Sequence, residues 1–321
     1  MRSMNVSLFE PPLLTRLKQY DRILIAGAGG GFDVYAGLPL ALALRRAGKQ
    51  VFLANLTFTY LGETDATYLA PHVAAVTTGT TGADQYFPER RLAEWLAEHD
   101  QPTTIYAFEK VGVVPLRAAY ARLVEALAVQ AVVLVDGGTD ILMRGDEEGL
   151  GTPEEDMTSL AAVAKLDAVD SFVVSIGFGV DTYHGVSHAH VLENIAAIER
   201  NGGYLGAFSV TSAMPEGRAY LSAVSHARGR TASRQSIVNG SIAAAIEGQF
   251  GNAQFTDRTA QSELFINPLM ALYFAFELPA VAKQSLYLHL LEDTKSIFDV
   301  GARIRVFRNT VQPRPRVPIP H

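Results

Sequence analysis

Short, nearly continuous apolar runs alternate along this chain with longer stretches in which apolar positions recur every three or four residues. The runs at 22–26, 51–54, 104–108, 131–135, 171–176 and 204–208 read as buried strands. Between them, an amphipathic stretch running to Ala47 and others at 116–127 and 190–199 read as helices, with Gly48 placed to cap the first. Strand, glycine-rich turn, helix, strand is a βαβ unit, and the unit recurs. The pattern predicts an α/β fold: a doubly wound, mostly parallel sheet covered on both faces, a Rossmann-like three-layer sandwich. After residue 210 the spacing turns helical, at 216–226, 236–247 and 280–292, and predicts a helical C-terminal elaboration. Residues 1–312 read as a single domain. Residues 313–321, with proline at alternate positions, read as an extended tail, either laid on a surface or mobile.

Composition narrows the classes. Apolar residues make up 48% of the 321 and charged residues 19%, which excludes a disordered chain. With 27 basic against 33 acidic residues, net -6, the chain lacks the basic excess of a nucleic-acid partner. No cysteine is present, so there is no disulfide, thiolate metal site or cysteine nucleophile. Met1 to Glu10 carries no apolar run of a secretory signal, and the 264–276 stretch, broken by Asn267 and Pro268, is too short to span a membrane. The expectation is a cytoplasmic protein with no membrane partner. Leu269 to Phe276 fits either core or the interface of a homo-oligomer.

The negative charge is concentrated. Residues 136–156 hold eight acids and one base, which leaves 26 bases against 25 acids in the other 300 residues. Asp136 follows the strand ending at Val135, at the edge where open α/β sheets bind ligands. Asp136 and Asp140 flank Gly137, Gly138 and Thr139 in a turn where both carboxylates can converge on a divalent cation: Mg, Mn or Ca. Arg144 is either an internal salt-bridge partner or an anchor for an anionic group of the ligand. Glu147, Glu148 and Glu154 read as solvated or helix-start charges, with Asp156 the member of that group best placed to join a site.

The turn Gly27, Ala28, Gly29, Gly30, Gly31, Phe32, Asp33 follows the first strand. It has Phe32 where a dinucleotide fingerprint has its third glycine, and Asn55 where the ribose-binding acid belongs. Asp33 would repel a pyrophosphate. The turn therefore either packs tightly or lines a ligand site of another kind through Gly27, Gly29, Gly30, Gly31 and Asp33.

Asp181, His184, Ser187, His188 and His190 follow the 171–176 strand and open on the same sheet edge. His188 is a candidate general acid or base, helped by Asp181 or by an acid of the 136–140 loop. The alternative is that Ser187 caps a helix, with His184 and His190 partly exposed. Further on, Arg230, Ser233, Ser236, Asn239 and Ser241 put polar groups at a helix start, suited to capping or to an anion. Neither Ser187 nor Ser236 lies in a Gly-x-Ser-x-Gly elbow, so a serine hydrolase is not expected.

With these residues assembled, the chain resembles a conserved prokaryotic family, domain of unknown function 1152. The resemblance rests on the Gly27 to Asp33 turn, on Asp136 to Asp140 with Arg144, Asp146 and Glu147, and on Gly151 to Glu154. It also takes in Ser187, His188 and Ala189, and Asn267, Pro268 and Leu269. It implies one coherent domain over nearly the whole chain and no particular reaction.

The residues themselves point first to a metal-assisted hydrolase or lyase acting on a small polar molecule, phosphorylated or nucleoside-like. Asp136 and Asp140 would hold the cation, and Asp136 and His188 would act in catalysis. The glycines, Asp33, Thr139, Arg144 and Ser187 would line the ligand. A non-catalytic nucleotide or metabolite binder is the alternative. Less favoured is an NAD-dependent or adenosyl-cofactor enzyme, since Leu24 and Ile25 stand where the latter has an acid.

Overall fold

A computed structural model describes residues 8–167, 169–231, 234–253 and 264–319. Its strands are β1 (Arg22–Gly27), β2 (Gln50–Leu56), β3 (Thr67–Ala70), β4 (Val73–Val76), β5 (Ile105–Phe108) and β6 (Ala131–Gly137). They continue with β7 (Asp170–Ile176), β8 (Tyr204–Ser209), β9 (Gly251–Asn252), β10 (Phe265–Ile266) and β11 (Leu272–Glu277). The helices are α1 (Pro12–Leu17), α2 (Asp33–Ala36), α3 (Leu38–Arg46), α4 (Pro88–Ala97), α5 (Val113–Leu127) and α6 (Pro153–Val163). After them come α7 (His188–Arg200), α8 (Pro215–Arg230), α9 (Ile237–Ile246), α10 (Leu278–Gln284) and α11 (Ile297–Arg308).

Nine strands form one sheet in the order β3-β4-β5-β2-β1-β6-β7-β11-β8, and β9 pairs with β10 apart from it. From β5 to β7 every pairing is parallel, while β4 and β11 run antiparallel to their neighbours. The protein is an α/β three-layer sandwich of Rossmann-like build. Alternation makes the layers: β1 sends Ile23 and Ile25 to one face and Leu24 and Ala26 to the other. Helices α1–α4, α8 and α9 cover the first face, and α5–α7, α10 and α11 the second. Burial on both faces explains the uninterrupted apolar runs, each large aliphatic side chain contributing about 1.5–3 kcal/mol.

Three elements differ from the expectation. The first helix is broken into α2 and α3 at Gly37, with Pro39, which has no N–H to give, in the first turn of α3. The 269–276 run is core from Met270 onward, with Leu269 exposed, and Leu272–Glu277 is a strand inserted antiparallel between β7 and β8. The helix expected over 280–292 ends at Gln284, and a 3-10 turn follows at Leu288–Leu291. The tail is laid on a surface: the Arg314 amide donates to Asp146 O at 2.7 Å, and the Glu148 amide to Arg314 O at 2.8 Å. Pro320 lies outside the described residues, as does Ser233.

The chain builds outward from β1 through β2 to β5, then returns to the far side of β1 with β6 and β7. This reversal opens a crevice between the carboxyl ends of β1 and β6, where such sheets bind ligands.

Candidate metal centre

A cavity of about 430 Å³ occupies that crevice, and six carboxylates face it: Asp33, Asp136, Asp140, Glu155, Asp156 and Asp181. They come from separate elements. Asp33 opens α2, and Asp136 stands one residue from the end of β6. Asp140 starts the 3-10 turn Asp140–Leu142, Glu155 and Asp156 lie in the first turn of α6, and Asp181 lies in the turn Val180–His184 after β7. Asp33, Asp136 and Asp156 each offer an oxygen, and these atoms all lie within 4.8 Å of one another. Oxygens on opposite sides of one Ca²⁺ are about 5 Å apart, so the three can share a coordination sphere.

Glycine makes the convergence possible. A Cβ on Gly29 would lie 2.6 Å from Asp156 Oδ1 and 2.8 Å from Asp33 Oδ2, and one on Gly137 would lie 2.9 Å from Asp33 Oδ1. Gly30 and Gly31 take φ of +91° and +59°, the left-handed region that turns the chain back over β1. The turn is thus shaped around the protein's own carboxylates. The Gly29 amide, which in a nucleotide-binding turn would face a phosphate, donates to Asp33 Oδ2 at 2.7 Å. Asn55, in place of the ribose-binding acid, uses its Nδ2 to bond Gly31 O at 2.8 Å and Glu89 Oε1 at 2.7 Å.

Burying so many acids together disfavours their charged forms. Burial raises the Asp33 carboxyl to about 7, with Asp140 adding to it and the Gly29 amide opposing. Burial, then the neighbouring Asp140, Asp33 and Asp181, holds Asp136 well above the ordinary carboxylate range. Asp156 is pushed up strongly by burial and by Asp136 and Asp140. Burial raises Asp140 against the pull of its two bonds from Thr152, amide at 2.7 Å and hydroxyl at 3.1 Å. Asp181, raised strongly by burial and then by Asp140, accepts the Thr139 amide at 2.7 Å. Asp156 Oδ1 differs: it is buried and has no hydrogen-bond partner among the described residues. An orphaned buried oxygen beside two other carboxylates calls for a cation or a proton.

The expected site residues are thus divided. Gly29, Gly30, Asp33, Asp136, Gly137 and Asp140 line the cavity. Gly27 packs under Asn55 and Asp33, and Gly31 lies beside Tyr86 and Phe58. Gly138 and Thr139 act through Asp181: a Cβ on Gly138 would meet its carboxylate at 2.7 Å. Asp140, expected to pair with Asp136 on a cation, lines the same cavity and accepts two bonds from Thr152, while Asp33 and Asp156 bring oxygens within 4.8 Å of one of Asp136's. His188 is not brought in. Its ring packs on Phe178 and against Gly179, and it lines a separate crevice with Arg316 and Val317 under the tail. His184 faces the cavity in its place. Ser187 turns to the tail, its hydroxyl donating to Val317 O at 3.2 Å, and Arg144 pairs with Asp146 at 3.1 Å. Glu147, expected in solvent, is fully buried, accepting the amides of Arg144 and Gly145 and Nδ2 of Asn194. Ser236 caps α9, accepting the Asn239 amide at 3.1 Å.

Fold and site together define a Rossmann-like α/β protein whose switch-point crevice is an acidic cavity. The chain belongs to the family of proteins of unknown function DUF1152, whose profile matches residues 64–310. The match includes Asp136, Asp140, Asp156 and Asp181 and begins beyond the glycine turn. No curated protein and no solved structure matches the chain. Among the described residues, no helix is long and apolar enough to cross a membrane.

Proposed function

We propose that this protein is a metal-assisted hydrolase or lyase acting on a small polar metabolite, with Asp33, Asp136 and Asp156 as the ligands of a divalent cation. The observation that carries this reading is the convergence of three buried carboxylates within 4.8 Å, one of them with an orphaned oxygen. The donor set is all oxygen, which favours Mg²⁺, Mn²⁺ or Ca²⁺ over softer ions. Such an ion lowers the pKa of water and polarises carbonyl or phosphoryl oxygens.

The remaining acids have other work. Asp181, raised well above the ordinary carboxylate range by burial and then by Asp140, is the candidate to deliver a proton to a leaving group. His184, exposed at the rim, stands on the side of Asp140. A volume of about 430 Å³ suits a small molecule. The test is thermal melting of chelator-treated protein with Mg²⁺, Mn²⁺ and Ca²⁺ added singly. At least one ion should raise the melting temperature of the wild type and leave Asp156→Asn unmoved. No response to any of the three would sink the reading.

A further inference from the structure

The cavity's lining is of two kinds: six carboxylates on the one hand, and the apolar and aromatic side chains of Phe58, Val180, Tyr183, Ile237, Val238 and Leu264 on the other. Among the described residues that line it, Lys110 is the single lysine or arginine, and it is already ion-paired with Glu155. A divalent ion offsets two of the six potential negative charges and Lys110 one.

Backbone donors do not make up the deficit. In this fold, anionic ligands are held by amides at the first strand-to-helix turn and at helix starts. Here three of those amides are committed to the protein's own acids: Gly29 to Asp33, Thr139 to Asp181 and Thr152 to Asp140, each at 2.7 Å. A phosphate would meet carboxylates where it needs N–H groups. The aromatic wall, in contrast, receives cations. The Lys110 ammonium sits 5.1 Å from the Phe58 ring centre, and Phe58 and Tyr183 remain 48% and 65% exposed.

We infer that the substrate of this cavity is a small organic cation, an amine or guanidine on an apolar stem, and not a phosphorylated metabolite. The inference rests on the proposed function and narrows its substrate class. The charged head lies between the carboxylates and the Phe58 ring, and the stem lies along Ile237 and Val238. The buried Asp156 Oδ1, with no hydrogen-bond partner among the described residues, calls for a cation or a proton on this side of the cavity.

Four compounds with one stem and different heads test this: n-butylamine, n-butylguanidine, n-butanol and n-butyl phosphate. Each is titrated calorimetrically into the full chain in amine-free buffer, with saturating Mg²⁺ and again with chelator. The amine or the guanidine should bind at least about tenfold more tightly than the alcohol, and the phosphate most weakly. Phe58→Ala should weaken the amine about tenfold and Phe58→Tyr restore it. Phosphate binding as tight as the amine overturns the inference. So does an amine no tighter than butanol, including the case in which none of the four binds. Mg²⁺ titrated alone keeps the two claims apart. Heat from Mg²⁺ without amine preference removes only this inference, while amine preference without Mg²⁺ binding removes the metal and leaves the substrate class standing.

Discussion

Gly29 and Asp156 are fitted to each other across the crevice: a methyl group on Gly29 would stand 2.6 Å from Asp156 Oδ1. The first strand-to-helix turn and the start of α6 therefore meet only because one partner has no side chain. Gly29→Ala should push Asp156 away from Asp33 and Asp136. The expected loss of divalent-ion affinity is about 10- to 100-fold, the scale seen when the support of a metal ligand is disturbed. Calorimetric titration of Mg²⁺ or Mn²⁺ measures it, and unchanged affinity would separate the turn from the metal centre.

Removing a carboxylate from this cluster should stabilise the cation-free protein. Asp156 is held well above the ordinary range by burial and by its acidic neighbours. Asp156→Asn keeps its shape and removes its ability to ionise. The melting temperature without metal should rise, most clearly above neutral pH, while the increment from added divalent ions disappears. A variant less stable than wild type at high pH would contradict the account of mutual repulsion.

Acidity gives a third expectation. A carboxyl whose pKa is raised by folding binds its proton more tightly in the native state than in the unfolded one, so protonation favours the native state. Its contribution is complete below the unfolded pKa and is lost as pH rises through the folded one. For Asp33 that window runs from its ordinary value of 3.8 to about 7. At about 1.4 kcal/mol per pKa unit, this one group is worth a few kcal/mol. The metal-free protein should therefore melt lower at about pH 8 than at pH 5, and saturating Mg²⁺ should reduce or reverse the trend. Cation binding should release protons, visible as a dependence of binding heat on the buffer's ionisation heat.

The strands were legible because β1 and β6 are buried on both faces and need apolar side chains at every position. The same logic hid β11. A buried apolar run six residues long has no periodicity to distinguish strand from helix, and it follows the turn at Pro268–Ala271 directly. At the site, Asp33 and Asp136 were recognisable from strand ends and glycines. Asp156 had a competing explanation, since an acid in the first turn of a helix is favourable whether or not it binds anything. In the sequence Glu147 is indistinguishable from its acidic neighbours Asp146 and Glu148, and what buries it, Asn194 and Arg314, lies far along the chain. His188 and His184 differ by four residues and fall on opposite sides of one turn, a direction fixed by positive φ at Gly179 and Gly185.

The histidines can be separated by experiment. His188 lies under the tail, where burial and then Arg316 lower its pKa. His188→Ala should leave divalent-ion binding as in the wild type. His184→Ala should also leave the cation bound, since it is not one of the three residues whose oxygens converge. Because His184 faces the cavity, the change should lower turnover of any reaction found there. Loss of ion binding in His188→Ala alone would return that residue to the site.

The tail offers the last prediction. Arg314 reaches Asp146 at 3.0 Å, Glu193 at 2.6 Å and the buried Glu147 at 3.6 Å. The pairs with Asp146 and Glu147 hold the tail against the segment that connects Asp140 to Asp156, and the pair with Glu193 holds it against α7. Arg308 of α11 grips the same segment independently, donating to the carbonyls of Gly145, Glu147 and Glu148 at 2.8, 2.6 and 3.0 Å. Glu147 also keeps its bonds from Arg144, Gly145 and Asn194 when Arg314 is removed. Arg314→Ala should therefore cost about 1–3 kcal/mol and expose the chain after α11 to proteolysis, while the stabilisation by divalent ions persists. Adding Arg308→Ala should cost more than the sum of the two single changes, because each then removes the other's backup. If Arg314→Ala by itself abolished the response to divalent ions, the tail would be part of the cation site, and the independence of the two anchors would be wrong.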